Sequence, residues 1–224
     1  YGITVDYEAY NTALDKYLES AGKLKATDYE RIGLVKACLG YDRNFIIDTI
    51  NNKTGTGGIM STIYGLMLAV SNDYVSPDRI TEIADSLVSL QMADGGWNLS
   101  GAYSDADVTA MALQALSAVR SYGYEDNIQK GVGRLASLQK DDAGYASYGV
   151  NNSESTAQVL MALCALNIDY RTDTRFIKNG HTVLDALMGY RTSKGAFSHT
   201  KDGKPNALAT TQALGALVLS LIHI

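Results

Sequence analysis

One block of sequence recurs along this chain and limits its possible folds more than any other feature. A Gln, then a Gly and an aromatic residue, precede a run rich in Ala and Leu, first over 91–116 and again over 139–163. A third copy, over 188–217, lacks the Gln. Thr109, Thr156 and Thr210 mark the register, 47 and 54 residues apart. A period of about 50 residues predicts an array of similar supersecondary units.

Two kinds of predicted helix alternate within this array. Amphipathic segments with charge on one face lie at 79–92, 125–140 and 176–191. Segments rich in Ala and Leu and almost free of charge lie at 105–119, 153–166 and 206–221. Half-charged helices belong on the outside of a fold and charge-free helices on the inside. Hairpins that each bury only one side must pack on their neighbours.

We therefore predict an all-α fold, an α/α toroid (barrel) of five to six helical hairpins. A single domain is expected over 1–224, with repeat copies near 42–71, 77–120, 125–167 and 176–221. An open solenoid is the alternative, but it needs polar capping helices, and the apolar stretch 214–222 would be a poor cap.

The N-terminal part also predicts helices. Segment 6–20 has helical spacing of apolar residues, and segments 42–52 and 59–71 read as further helices, the last one buried on all sides. A capping box from Thr27 to Glu30 is expected to open a helix that Gly40 ends. Pro77 is expected at the first position of the next helix.

Composition excludes some classes of function. The net charge is −5 and Lys/Arg clusters are absent, which argues against a nucleic-acid partner. No apolar run reaches the roughly 18–20 residues that span a bilayer, so no transmembrane segment is expected. The chain begins at Tyr1 without Met or a signal peptide, which favours a processed protein.

The repeat resembles the QW-type repeat of the terpenoid cyclase and protein prenyltransferase superfamily, over roughly residues 27–221. Gln91 to Trp97 matches best, and Gln139 to Tyr145 matches well. Segments 152–158 and 197–203 resemble a bacterial branch of secreted, multi-domain surface proteins with prenyltransferase and squalene-oxidase repeats. That branch is similar in layout to the helical domain of the cobalamin carriers. The resemblance implies a toroid and a secreted or cell-surface location in a bacterium.

Segment 104–110 is the sharpest candidate for chemistry. It resembles the Asp-x-Asp-Asp-Thr-Ala motif with which class II terpene cyclases protonate an alkene, but Val108 stands where the last Asp is expected. If the chain is an enzyme, Asp107 would be the general acid with Asp105 beside it, and a second buried acid or a His near Asp107 would favour that function. The structural alternative is that Ser104 caps a helix, with Asp107 completing the box as an ionised carboxylate.

A zinc site of the protein prenyltransferase type is not expected. That site needs Asp, Cys and His ligands. The three histidines, His181, His199 and His223, follow no Asp-x-Cys pair, and Cys38 and Cys164 lack flanking ligands. We therefore predict neither a bound metal nor a cofactor.

In a toroid all inner helices run the same way, so their N-termini meet at one mouth. A concave mouth with aromatic walls and a few polar groups is a default ligand site. The candidate ligand-binding residues are Trp97, Asp105, Asp107, Tyr145, Tyr148, Glu154, Phe197, His199, Thr210 and Gln212.

The function predicted from these features is non-catalytic. The chain would be a ligand-binding or interaction module of a bacterial secreted or cell-surface protein. Its partner would be a small apolar or amphiphilic ligand, or a protein or peptide. One alternative is a terpenoid or polyprenyl cyclase-like enzyme that uses Asp107. Another is a structural spacer domain.

Overall fold

A computed structural model of the chain describes residues 5–222. Within that range the chain forms ten α-helices, two short 3-10 turns and one two-stranded hairpin. The prediction of an all-α fold is confirmed. The expectations for Tyr1 and His223 lie outside the described residues. None of the described helices combines the length and the apolar character needed to cross a bilayer.

The chain divides into two compact units, with the boundary between Ser89 and Leu90. The helices of the first unit are α1 (Tyr7–Ser20), α2 (Ala26–Leu39), α3 (Arg43–Asn52), α4 (Ile59–Val70) and α5 (Pro77–Ser89). Helix α4 packs against α2, α3 and α5. Its side chains Ile63, Leu66 and Leu68 are fully buried. The expectation that this helix is buried on all sides is wrong for one face, where Met60, Tyr64 and Met67 are only half-buried.

Two of the three predicted helix boundaries in this unit are confirmed and one is wrong. Gly40 ends α2 in the left-handed conformation, with φ of 74°, and Pro77 is the first residue of α5. The predicted capping box from Thr27 to Glu30 does not form. The backbone N–H of Lys25 instead donates to Asp28 Oδ2 at 2.9 Å. Glu30 is buried, and Ser61 Oγ on α4 lies 2.6 Å from its Oε1.

The second unit contains the three clear repeats. Its elements are α6 (Ala106–Ser117), α7 (Glu125–Leu138), β1 (Ala146–Ser147), β2 (Val150–Asn151), α8 (Ser153–Ala165), α9 (Val183–Met188) and α10 (Ala207–Ile222). Strands β1 and β2 pair antiparallel. The charge-poor helices pack in series, α6 on α8 and α8 on α10. The amphipathic α7 packs on α6, and α9 packs on α8. This unit therefore has the predicted alternation of amphipathic and charge-poor helices.

The third outer helix is much shorter than the predicted segment 176–191. It covers only Val183–Met188. Asn179 and Gly180 before it have positive φ values of 51° and 80°, and a β-bridge joins Lys178 to His181. An Asn-Gly pair favours a tight turn with positive φ at both residues. A continuous helix cannot accommodate such a turn. The hydrophobic spacing of the segment predicted a continuous helix and did not indicate that turn.

The three threonines occupy equivalent positions, as predicted. In each copy the threonine hydroxyl oxygen accepts the backbone N–H of the loop aromatic residue. These bonds are Trp97 to Thr109 at 2.9 Å, Tyr145 to Thr156 at 3.1 Å and Phe197 to Thr210 at 2.9 Å. The same hydrogen bond in each copy fastens the loop to the helix that follows it. The repeat register is therefore confirmed, while the single toroidal domain over 1–224 stays a prediction.

Candidate ligand-binding site

One face of each inner helix is accessible along its length. On α6 and α8 the residues two before, two after and five after the register threonine are half-buried, whereas the positions between them are buried. Residues with this spacing share one face of a helix. We call this face the accessible stripe. It consists of Asp107, Met111 and Gln114 on α6, Glu154, Gln158 and Met161 on α8, and Leu208, Gln212 and Gly215 on α10.

A row of glutamines crosses the stripe halfway along the helices. Gln114 Nε2 donates to Gln158 Oε1 at 2.9 Å, and Gln158 Nε2 donates to Gln212 Oε1 at 3.3 Å. The three side chains therefore link three successive repeats. Only Gln212 was predicted as a site residue. The signal that could have found the other two is a Gln inside a helix that is otherwise Ala, Leu and Met.

At the N-terminal end of the stripe the capping role falls to Asp105, not to Ser104. Asp105 Oδ1 accepts the backbone N–H groups of Asp107 and Val108 at 2.9 and 3.3 Å. Its other oxygen accepts the Ser147 hydroxyl, which lies on β1 in the next repeat, at 2.7 Å. Ser104 Oγ instead donates to Asp94 Oδ2 at 2.9 Å. The predicted capping box from Ser104 to Asp107 is therefore wrong, because the cap begins one residue later.

Asp107 does not cap the helix and lies half-buried at the edge of the stripe. Its Oδ1 is inaccessible and has no hydrogen-bond partner among the described residues. Burial raises the pKa of Asp107 from 3.8 to about 6, and the negative charges of Asp105 and Glu154 add to that rise. Ser155 and His199 act in the opposite direction and lower it. The predicted capping role of Asp107 is therefore wrong, whereas a carboxyl with a pKa of about 6 is still ionised at neutral pH, as expected.

Glu154 on α8 occupies the position equivalent to Asp107 on α6. Its Oε2 lies 2.9 Å from Nδ1 of His199 and accepts the Ser153 hydroxyl at 3.0 Å. The His199 side chain is about half exposed, at 52%, whereas that of Glu154 is only 12% exposed. The loop that carries His199 is held against α8, since the backbone N–H of Ser153 donates to the His199 carbonyl at 3.0 Å.

The structure brings together only part of the predicted set. Asp105, Asp107, Glu154 and His199 form one group at the adjacent N-termini of α6 and α8. Gln212 lies on the stripe, further along α10.

The predicted aromatic wall is absent from this group. Trp97 and Tyr145 are 0% exposed and Phe197 is 1% exposed, so these rings lie in the core and not on an accessible wall. Tyr148 is 83% exposed at the tip of the β1–β2 hairpin. Thr210 bonds to the backbone of its own loop. The loop aromatic residues belong to the packing of the repeat, and the accessible chemistry comes from carboxylates, amides and one imidazole.

Metal-ligating side chains do not cluster in the part of the chain that the structure describes. Over residues 5–222, no three His, Cys, Asp or Glu side chains are placed to hold one ion. Asp105, Asp107 and Glu154 are therefore close enough to influence one another electrostatically without forming a coordination shell.

No protein-family model matches the chain, and no curated protein is significantly similar to it. The relationship to the terpenoid cyclase and prenyltransferase superfamily therefore stays an expectation from the repeat. The chemistry of the stripe has to be argued from its own residues.

Proposed function

We propose that residues 90–222 bind a small amphiphilic cation along the accessible stripe, without catalysis. The observation that carries this proposal is the buried Oδ1 of Asp107, which lies beside two further carboxylates. It has no hydrogen bond of regular geometry among the described residues, although the Ser155 hydroxyl is near the carboxyl. A buried polar atom without a partner costs free energy that a bound donor would recover. A cationic group would also relieve the repulsion that raises the pKa of Asp107.

The rest of the stripe supports an amphiphilic ligand more than a simple ion. Beyond the carboxylates lie Met111 and Met161, whose flexible thioethers adapt to irregular apolar groups. The glutamine row runs between the two methionines, with Gln114 after Met111 on α6 and Gln158 before Met161 on α8. Its amide groups can bond a polar substituent. The ligand would place its cation near Asp107 and Glu154 and its apolar part along the methionines.

The proposal includes an architecture and a location. The serial packing of α6, α8 and α10, with amphipathic helices on the other side, supports an α/α toroid with prenyltransferase-like repeats. In that arrangement the N-terminal end of the stripe would be the mouth. A bacterial secreted or cell-surface protein remains our proposal for its setting, since it rests on the resemblance of the repeat.

Calorimetric titration with decylammonium, whose primary ammonium group has three N–H donors, tests the binding below its micelle concentration. We expect at least a tenfold loss of affinity in Asp107→Asn and in Glu154→Gln, because each removes one charge-assisted contact worth about 1.5–3 kcal/mol. Asp126→Asn is the matched control, since Asp126 is exposed on α7. Neutral decyl maltoside should bind far more weakly than the cation.

The pH dependence gives a second readout of the same site. Asp107 takes up a proton as the pH falls through about 6. Affinity for the cation should therefore be highest above pH 7 and decline as the pH falls through 6, and Asp107→Asn should flatten that profile. Equal affinity for the cation and the neutral amphiphile, or no difference between Asp107→Asn and the control, would refute the proposal.

Acid catalysis by Asp107 is the second candidate, because a specific observation favours it. A second buried acid or a His near Asp107 would favour an enzyme, and His199 as well as Asp105 and Glu154 influences the pKa of Asp107. A carboxyl with a pKa of about 6 holds its proton under mildly acidic conditions and can donate it.

An isoprenoid panel separates the two candidates. Squalene and prenyl diphosphates are incubated with the protein and with Asp107→Asn, and products are analysed beside thermal melts. We expect no cyclised product from either protein. Product from the parent that disappears in the variant, with the melting temperature unchanged, would replace the binding function with the enzymatic one.

A further inference from the structure

The last inner helix exposes a face that its counterparts bury. Leu214 on α10 is 51% exposed, whereas the equivalent Leu160 on α8 and Leu113 on α6 are 0% exposed. Val218 on α10 is 56% exposed, whereas the equivalent Cys164 is 1% exposed. Helix α10 contains no charged residue. One side of it therefore presents a continuous apolar surface, which we call the α10 face, made of Leu214, Val218, Leu221 and Ile222.

The first repeat indicates what kind of element fits such a face. Helix α7 crosses α6 so closely at Gly131 that a Cβ there would lie 2.9 Å from Leu113 Cδ2 and 3.0 Å from Trp97 Cζ3. The face of α6 that corresponds to the α10 face is thus covered by an amphipathic helix with a small residue at the crossing. Helix α9 packs on α8 in the same serial arrangement.

Helix α1 carries the pattern of α7 in the same register. Both helices have 14 residues and an acidic residue in the first turn. The buried residues of α7 are Ile128, Gly131, Val132 and Leu135. At the matching positions α1 has Tyr10, Ala13, Leu14 and Tyr17. The small residue at the crossing and the larger apolar residues on either side are therefore both present.

This side of α1 is largely accessible. No residue of α1 is buried, and Tyr10 and Tyr17 are each 49% exposed. The adjacent side is attached to α2, because Lys36 Nζ donates to Asn11 Oδ1 at 3.0 Å and to Asp15 Oδ1 at 2.6 Å. Tyr10 and Tyr17 line one wall of a groove whose other wall is α2, and about half of each side chain stays exposed. Ala13 beside them is exposed, so these three residues can still contact another surface.

A charged pair would complete the fit. In the first two repeats a loop glutamine donates to a backbone carbonyl of the following outer segment, Gln91 to Asn127 at 2.9 Å and Gln139 to Phe176 at 2.9 Å. The third copy has Arg191 at the glutamine position, and Arg191 is exposed. The residue of α1 that matches Asn127 is Ala9, directly after Glu8, so Arg191 would meet an acidic first turn.

We propose that the α10 face binds helix α1 of a second copy of this chain, with Ala13 opposite Leu214 and Glu8 beside Arg191. The contact joins two different surfaces, so it is heterologous and propagates into rings or filaments. One helix face is much smaller than the roughly 800 Å² per partner of a stable interface, so the association should be weak and reversible. This proposal does not depend on the ligand proposed for the stripe.

Disulfide trapping between two singly substituted proteins tests the contact. All variants carry Cys38→Ser, because Cys38 is exposed, whereas Cys164 is buried. Ala13→Cys is mixed with Leu214→Cys under mild oxidation, and we expect a mixed dimer as the main cross-linked product on non-reducing gels. Thr12→Cys mixed with Leu214→Cys is the matched control, because Thr12 is exposed on another side of α1 and should give at least fivefold less.

A charge exchange tests the orientation. Arg191→Glu in the Leu214→Cys protein should reduce the mixed dimer at least threefold, and Glu8→Arg in the Ala13→Cys protein should restore it. A dominant dimer of Leu214→Cys with itself would mean that two α10 faces pair with each other, which would overturn the proposal. Equal yields with Thr12→Cys and Ala13→Cys, or no mixed dimer at all, would overturn it as well.

Discussion

Residues 90–222 and residues 5–89 hold their helices together with different polar groups. In the second unit the neutral hydroxyls of Thr109, Thr156 and Thr210 bond to backbone groups of the loops. In the first unit Glu30 and Lys36 are both fully buried between helices. A neutral hydroxyl bonded to backbone does not titrate, whereas a buried carboxyl does. The two units should therefore respond differently to pH.

The repeat copy near 42–71 differs from the three later copies, and this difference accounts for part of the contrast. Thr62 precedes Thr109 by the repeat period, but its hydroxyl contacts the carbonyl of Gly58 at 3.5 Å, within its own helix, and the loop bond of the other copies is missing. Beside it, Ser61 Oγ lies between Glu30 Oε1 and the Lys53 carbonyl, at 2.6 and 2.9 Å. The loop of this copy is thus attached through a serine and a carboxyl group.

The largest expected effect is the response of Glu30→Gln to pH. Burial raises the pKa of Glu30 from 4.5 to about 7, with the Ser61 hydrogen bond opposing the rise. An acid with a raised folded-state pKa loses stability as the pH increases from the unfolded value to the folded value, here from 4.5 to 7. Glu30→Gln should therefore stabilise the protein by roughly 3 kcal/mol above pH 7 and by almost nothing below pH 4.5.

Urea denaturation at pH 4 and pH 8 measures this difference. Glu82→Gln is the matched control, because the Glu82 side chain is 65% exposed and should change stability little at either pH. A gain that is the same at both pH values would mean that the pKa of Glu30 is not raised in the folded protein.

The next effect concerns the repeat bond itself. Thr109→Val keeps the shape of the side chain but leaves the buried N–H of Trp97 without an acceptor, so we expect a loss of about 2–3 kcal/mol. Thr62→Val should cost clearly less, because Thr62 makes no such loop bond. Thermal melts of the two variants sharpen the comparison between the units. Equal losses of stability would show that the hydrogen bond between threonine and loop does not distinguish the second unit from the first.

A smaller and local effect is expected from Lys36→Met. Lys36 Nζ contacts Asp15 and Asp42 at 2.6 and 3.1 Å. Burial lowers the pKa of Lys36, but the two aspartates raise it by more. Both aspartates are more than 40% exposed and stay solvated without the lysine. We expect a loss of about 1–2 kcal/mol, confined to α1. Hydrogen exchange should accelerate in α1 and remain unchanged in α8, whereas acceleration in both would contradict a local role.

The smallest effect concerns a buried hydroxyl in the second unit. Tyr145 is fully buried, and its hydroxyl has no hydrogen-bond partner among the described residues. Tyr145→Phe should stabilise the protein by about 1 kcal/mol, because it removes an unsatisfied polar group and keeps the ring. The thermal melt is compared with that of Tyr148→Phe, since the Tyr148 side chain is exposed and should give no change. A loss of stability would mean that the hydroxyl has a partner in solution.

The sequence by itself determined the all-α class, the alternation of outer and inner helices, and the equivalence of Thr109, Thr156 and Thr210. These features follow from local spacing and from the comparison of one copy with the next. The tight turn at Asn179 and Gly180 was present in the sequence as well, but hydrophobic spacing outweighed it. A pattern of apolar residues reports burial, and it cannot report a reversal of the backbone inside the pattern.

Only the tertiary structure decided which predicted site residues are accessible. Trp97, Tyr145 and Phe197 carry the repeat pattern, yet they lie in the core because each loop folds back over the helix after it. The pKa of Asp107 is raised mainly by burial and further by Asp105 and Glu154, the latter 47 positions away in the sequence and adjacent in space. Distances between repeats, and the burial that results from them, depend on how the helices pack. The amino-acid sequence alone does not give those distances.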